Sequence, residues 1–262
     1  MKPMSYAAAL ALTLASFATP ALAADAPSCP TTPDRLVVLG DSIMACYGVG
    51  NADSPDCGPY QYHEALRSDL PDLTYENLAI NGATTGSLVR QQLLTVPTGP
   101  GHTQALIYVG GNDLYAYLYL PGEFVLSTVW PQLEGKLRNS WAQIFTYFEN
   151  PENFPDGATI IINTQYNPFD DCYGTSAEKI ELLSLYNEMI DDLTTGYPNR
   201  IVADPYTPFL GHGHNHQRRL CPYYEKDAEY WFADTVHPNP AGHEQLGYVW
   251  GDLWSDQNAV CE

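Results

Sequence analysis

Positive charge is scarce in this chain: 11 Lys and Arg stand against 31 Asp and Glu, a formal net charge of -20 over 262 residues. Such a surface repels phosphates, which excludes nucleic acid as a partner and works against anionic membranes, while serving solubility. Long apolar runs are as scarce. The one present, Ala7 to Ala18, is too short to span a bilayer and is followed by Pro20, so no integral membrane association is expected. With Lys2 ahead of it and Ala-Leu-Ala ending at Ala23, it reads instead as a signal peptide over residues 1–23, removed on export to a periplasm or the outside. No cysteine follows the proposed cut, which argues against a lipid anchor there. The chain has no internal repeat and, past residue 23, no low-complexity segment. Nor does any pair of its six cysteines show C-x-x-C spacing, which argues against a zinc cluster.

Six cysteines in an exported chain fit three disulfides, and sequence alone leaves about fifteen connectivities open. We favour Cys46 with Cys57, Cys172 with Cys221, and Cys29 with Cys261: a short loop beside Ser42, two long loops on one side of a sheet, and the two termini. Residues 24–262 are read as one domain, long enough to bury a substantial core.

After a Pro-rich lead from Pro27 to Pro33, short apolar runs alternate with longer amphipathic ones. Strands are expected at Arg35–Leu39, Thr74–Ala79, Ala105–Val109, Thr159–Thr164 and Ile201–Ala203. Helices are expected at Tyr60–Asp69, Thr85–Leu94, Phe124–Phe148 with a start or break near Pro131, Ser176–Thr195 and Pro240–Asp252. Ser176 with Glu178 and Glu181 reads as a capped start, and Gly196 as a stop. Strands alternating with helices imply parallel pairing through right-handed crossovers, hence a three-layer α/β/α sandwich on a central, mainly parallel five-stranded sheet. Ligands bind such sheets beyond the carboxyl ends of the strands.

Most of the chemistry-bearing blocks fall just there. In RLVVLGDSIMACYG a buried strand runs straight into Gly-Asp-Ser, presenting Ser42 where the chain turns towards a helix. A serine hydroxyl is inert at neutral pH unless a base takes its proton. AINGATTG follows the second strand, VGGND the third, and DTVHPNPAG precedes the last helix. Asp234 lies three residues before His237, so its carboxylate can reach Nδ1 and leave Nε2 facing Ser42, the geometry of general base catalysis. Backbone N–H groups of Ser42 and Gly82 with the Asn112 amide make three donors suited to a developing oxyanion. Read alone, Gly82 is a turn glycine, Asn112 a cap or turn residue, and a single histidine structural. Asp41 is left outside the catalytic set, as a residue that could hold the turn.

These four blocks, in this order, resemble the SGNH, or GDSL-type, hydrolases over about Leu36 to Gly242. The resemblance implies a flavodoxin-like fold, with Ser42 as nucleophile, His237 as base, Asp234 as its orienting acid, and Ser42, Gly82 and Asn112 in the oxyanion hole. The family often has a glycine four or five residues after its serine, where this chain has Cys46 and Tyr47; the shape of the first loop therefore stays open. The expected activity is that of a secreted serine esterase or lipase acting, as a monomer and without cofactor, on a small-molecule or polymer-borne ester. Alternatives are a carbohydrate esterase that removes acetyl groups from polysaccharide and a non-catalytic ligand-binding protein of the same fold.

His212, His214 and His216 alternate in GHGHNH and could face one side towards a metal, or form a polar loop before Cys221. Asp170 and Asp171 lack the ligand spacing of a calcium loop. We expect no metal. Tyr115, Tyr117, Tyr119, Tyr223, Tyr224, Tyr230, Trp231 and Phe232 border the expected site and suit either an acyl pocket or a sugar platform.

Overall fold

The computed structural model describes residues 31–118, 124–172 and 177–259. The signal-peptide reading, the Cys29–Cys261 pairing, Tyr119 and the Ser176 cap lie outside these residues.

Five strands, β1 (Arg35–Gly40), β2 (Thr74–Asn77), β3 (Thr103–Tyr108), β4 (Ala158–Asn163) and β5 (Arg200–Ala203), form one sheet in the order β2-β1-β3-β4-β5. Every pair is parallel, so the sheet is wholly rather than mainly parallel. The central strands read as unbroken apolar runs because both faces are covered. Alternation along β1 sorts its side chains into two cores. Val37 and Leu39 pack with Trp141, Ile144 and Phe148 of α4 (Leu126–Phe148) and with Leu183, Tyr186 and Ile190 of α5 (Ala177–Thr194). Leu36 and Val38 pack with Tyr62 and Leu66 of α1 (Gly58–Arg67) and with Leu246 and Trp250 of α7 (Pro240–Ala259). Helices thus cover the sheet on both sides, in three layers.

The expected helix at Thr85–Leu94 is three short pieces: α2 (Thr85–Ser87), a π turn Leu88–Gln92 and a 3-10 turn Leu93–Thr95. β2 stops at Asn77 rather than Ala79; beyond it Leu78 and Ile80 N–H still donate to the Val38 and Gly40 carbonyls, while the Asn77 side chain accepts from Ala79 N–H at 3.0 Å and donates to the Met44 carbonyl at 2.7 Å. Pro131 does not break α4, which runs through it; the buried C-terminal half, from Leu137 to Phe148, outweighs the ~3 kcal/mol an interior proline costs. Two helices were not anticipated, α3 (Gly111–Leu118) and the single turn α6 (Tyr206–Phe209). Gly196 has φ +85°, as a helix-ending glycine should.

Strand order reverses at β1, from which the chain goes first to β2 on one side and then to β3 on the other. Loops after β1 and β3 therefore diverge and open a crevice at the carboxyl edge of the sheet. Gly40 ends β1 inside this crowded junction: a Cβ there would lie 2.1 Å from the Tyr108 carbonyl oxygen. The Gln92 amide brackets it, accepting from Gly40 N–H at 2.9 Å and donating to its carbonyl at 2.7 Å.

Candidate active site

Ser42 leaves β1 in a turn held by Asp41, whose Oδ1 accepts from Ile43 N–H at 3.0 Å. His237 arrives from the far end of the chain in a loop that Asp234 organises by itself. One carboxylate oxygen, Oδ1, accepts from Val236 N–H and His237 N–H, both at 2.9 Å, and the other, Oδ2, meets His237 Nδ1 at 2.8 Å. A carboxylate on Nδ1 puts the ring proton there, which leaves Nε2 as an acceptor. Nε2 stands 2.8 Å from Ser42 Oγ. Burial alone would raise the Asp234 carboxyl, but the two backbone N–H groups and the imidazole outweigh it and hold the group below the ordinary carboxylate range. Directly after the loop, Asn239 caps α7 by accepting from Gly242 N–H at 3.0 Å, so the residues around His237 are fixed to a helix start.

On the other side of the crevice, Thr84 and Ser87 form a reciprocal capping box that opens α2, at 3.2 and 2.8 Å. Asp113 of α3 binds the same turn, accepting from Thr85 N–H at 2.8 Å and Thr85 Oγ1 at 3.0 Å, which ties the GGND block to NGATTG. Gly82 precedes this turn with φ +76°, and a Cβ there would meet nothing within 4 Å. Its place in the fold therefore follows from backbone conformation, not from crowding by other protein atoms. The N–H groups of Ser42 and Gly82 donate to no acceptor among the described residues. Asn112 Nδ2 donates to the Ala83 carbonyl at 3.0 Å and faces Asp41 Oδ2 at 3.4 Å, too long for a normal bond.

Ser42, Asn112, Asp234 and His237 line one cavity of about 260 Å³, together with Tyr115, Gln165 and Tyr166. Gly82 lies outside that lining. Asp41 forms part of the floor and is 2% exposed; burial, with the neighbouring Asp113 charge adding to it, pushes its carboxyl up to about 7 against the Ile43 hydrogen bond. Among the described residues no Lys or Arg lines the cavity.

Sequence reasoning missed Gln165 and Tyr166, which follow β4 and carry no local motif. It also missed Tyr47, whose ring lies 4.5 Å from the His237 ring. Cys46, at a position where related chains often have glycine, is buried at φ +60° and paired with Cys57. The second pair, Cys172 with Cys221, is also formed. Of the aromatics, Tyr115 lines the cavity, Tyr117 packs on Phe124, and Trp231 and Phe232 are buried. The three alternating histidines do not converge. His212 stacks on Trp231 at 3.5 Å, His214 lies by Phe232, and His216 turns Nδ1 to the Gly213 carbonyl at 2.6 Å. Among the described residues no group of three His, Cys, Asp or Glu could hold a metal ion.

A model of the GDSL-like lipase/acylhydrolase family matches residues 38–245. No curated protein matches the chain. Solved structures of the same fold include a phospholipase A1 from Streptomyces albidoflavus NA297, 17% identical with TM-score 0.55, covering 84% of this chain and 98% of that one. An acetylxylan esterase from Geobacillus stearothermophilus is 16% identical with TM-score 0.56, covering 84% and 93%. An extracellular lipase from Streptomyces rimosus is 20% identical with TM-score 0.52, covering 84% and 98%.

Proposed function

Since the chain belongs to the GDSL-like lipase/acylhydrolase family, we propose that it hydrolyses carboxylic esters through an acyl-enzyme on Ser42. The observation that carries this reading is the unbroken relay from Asp234 Oδ2 through His237 to Ser42 Oγ, with both contacts at 2.8 Å. Ser42 Oγ attacks the ester carbon as its proton passes to His237 Nε2. Negative charge on the former carbonyl oxygen is met by the Ser42 and Gly82 N–H groups and by the Asn112 amide hydrogen nearer Asp41. The intermediate collapses, the alcohol departs with the proton from Nε2, and the acyl group stays on Ser42. Water then gives a proton to Nε2, attacks the acyl carbon, and the acid leaves as Ser42 recovers its hydrogen.

The substrate we infer is an uncharged ester with a short acyl group. The cavity of about 260 Å³ beside Ser42 is small, which favours a short acyl group such as acetyl or butyryl over a long chain. With no Lys or Arg among the described residues of its lining, the cavity favours an uncharged ester over one with an anionic head group. A carbohydrate esterase that removes acetyl groups from polysaccharide is the second reading, favoured by the same small volume and by the exposed face of Tyr115 on the rim. Export is proposed alongside, supported by two disulfides, which persist in oxidising compartments.

Purified protein assayed on p-nitrophenyl esters from acetate to palmitate, beside acetate release from acetylated xylan, tests these statements. We expect Ser42→Ala to abolish turnover; hydrolysis at the wild-type rate would refute the nucleophile. A large preference for palmitate would refute the short-acyl reading and the carbohydrate reading together.

A further inference from the structure

We propose that His214, with Tyr166, is a positioning residue for the reaction on Ser42: the pair grips the carbonyls of Thr235 and Val236, between Asp234 and His237, and so sets where the His237 imidazole stands. This inference rests on the ester-hydrolase reading above and assigns work to the GHGHNH segment.

The hydrogen bonds made by Asp234 shape the 234–237 loop internally but do not fix it against the body of the protein. Beyond the helix start at Asn239 and the meeting of His237 with Ser42, two contacts from outside do. His214 Nε2 lies 3.1 Å from the Thr235 carbonyl oxygen, and Tyr166 Oη donates to the Val236 carbonyl at 2.6 Å. A carbonyl can only accept, so His214 carries its ring proton on Nε2. Its Nδ1 then accepts from the Tyr230 hydroxyl at 2.8 Å. Both ring nitrogens of a neutral imidazole are thereby satisfied, with one tautomer selected.

The support beneath His214 is rigid. Its N–H donates to the Pro168 carbonyl at 2.8 Å, and its ring lies on Phe232 at 5.7 Å and beside Phe169 at 5.4 Å. Asp170, fully buried, gathers the segment by accepting from Gly211 and Gly213 N–H on Oδ1, at 3.1 and 2.9 Å, and from Asn215 N–H on Oδ2 at 2.9 Å. Gly213 is required here: a Cβ on it would stand 2.4 Å from the Pro168 oxygen and 2.7 Å from Asp170 Oδ1. Cys172–Cys221 ties the two loops together. A displacement of ~1 Å between reacting groups can cost about a hundredfold in rate, so a loop held only by itself would serve a proton relay poorly.

The test compares His214→Phe, which keeps the ring but loses the donor, with His214→Gln, whose amide nitrogen reaches the place of Nε2. Tyr166→Phe and Ser42→Ala are made alongside, and kcat, KM and Tm are measured with p-nitrophenyl acetate. We expect H214F to lower kcat about tenfold with KM within twofold, Tm little changed, and most of kcat restored in H214Q. Y166F should lower kcat in the same way. Unchanged kcat in H214F and Y166F, or a loss that H214Q fails to rescue and that follows a fall in Tm, overturns the proposal while leaving the nucleophile intact. If H214F does not fold, wild-type kcat in Y166F overturns it. Wild-type turnover in S42A overturns the ester-hydrolase reading itself, and the positioning role with it.

Discussion

Asp41→Asn should stabilise the protein at alkaline pH and scarcely at all in acid. The wild-type carboxyl is pushed from the ordinary 3.8 up to about 7 by burial first and by Asp113 in addition. A carboxyl raised in the folded state takes up protons that the unfolded chain releases, so the stability it lends in acid is lost as pH rises from about 4 to about 7. At ~1.4 kcal/mol per pH unit, keeping Asp41 folded costs roughly 2 kcal/mol at pH 5 and roughly 4 kcal/mol at pH 8.5. Asparagine has no such cost, and its Oδ1 can still accept from Ile43 N–H. Its Nδ2 would face the Asn112 amide, a penalty that does not vary with pH. The stability gap between D41N and wild type should therefore widen by roughly 2–3 kcal/mol from pH 5 to pH 8.5. Urea unfolding followed by fluorescence of the buried Trp141 and Trp250 measures it. Asp170 and Asp191, raised by burial, and His243, lowered by it, titrate in both proteins, and their contributions largely cancel in the comparison. A gap equal at the two pH values would refute the reasoning, because only a carboxyl titrating normally behaves so.

Other outcomes are expected. Asp234→Asn should lower kcat by roughly 10²–10⁴ by disordering the imidazole tautomer, read from p-nitrophenyl acetate kinetics; a loss below threefold would contradict the relay. Because the Asp234 carboxyl is held below the ordinary range, the stability it lends at neutral pH disappears on acidification, and D234N should show a smaller acid loss than wild type in the same urea assay. Removing the Cys46–Cys57 bridge as C46A/C57A opens a loop with sequence separation 11 and should cost about 3 kcal/mol. C46G/C57A should recover ~1 kcal/mol of that, because glycine adopts φ +60° without penalty; equal stability of the two double variants would show that the backbone there is unstrained.

What could be read from the chain depended on how local the cause was. Leu36 to Leu39 and Ile160 to Ile162 announce strands because a parallel sheet buries both faces, and no helix pattern fits them. Asp234 and His237 can be read as partners because three residues of backbone bring carboxylate and ring together. The meeting of His237 with Ser42 could be anticipated only from the joint order of four blocks. By contrast, α3 is hidden inside the GGND block, where Gly110 at φ +119° reads as a turn and the helix is anchored afterwards by the buried Leu114 and Leu118. Gln165 and Tyr166 leave no trace in residue pattern, and the alternation that marks His214 points to a metal or a polar loop, since all three meet backbone carbonyls brought near by folding. Tyr47 follows the left-handed Cys46 and donates its N–H to the Ser42 carbonyl at 2.9 Å, a local turn with no sequence motif that sets its ring beside the imidazole.

The serine hydroxyl and the imidazole that meets it are separated by 195 positions of chain. No fragment missing either side of that span can assemble the pair, and no collapsed intermediate with helices still undocked will hold it at bonding distance. Ester turnover is therefore a late signal in refolding: tryptophan fluorescence should recover first, and catalysis should return only with the last docking event. On the proposed reading, the same long span would act as a safety catch, keeping hydrolysis silent until the whole architecture is closed.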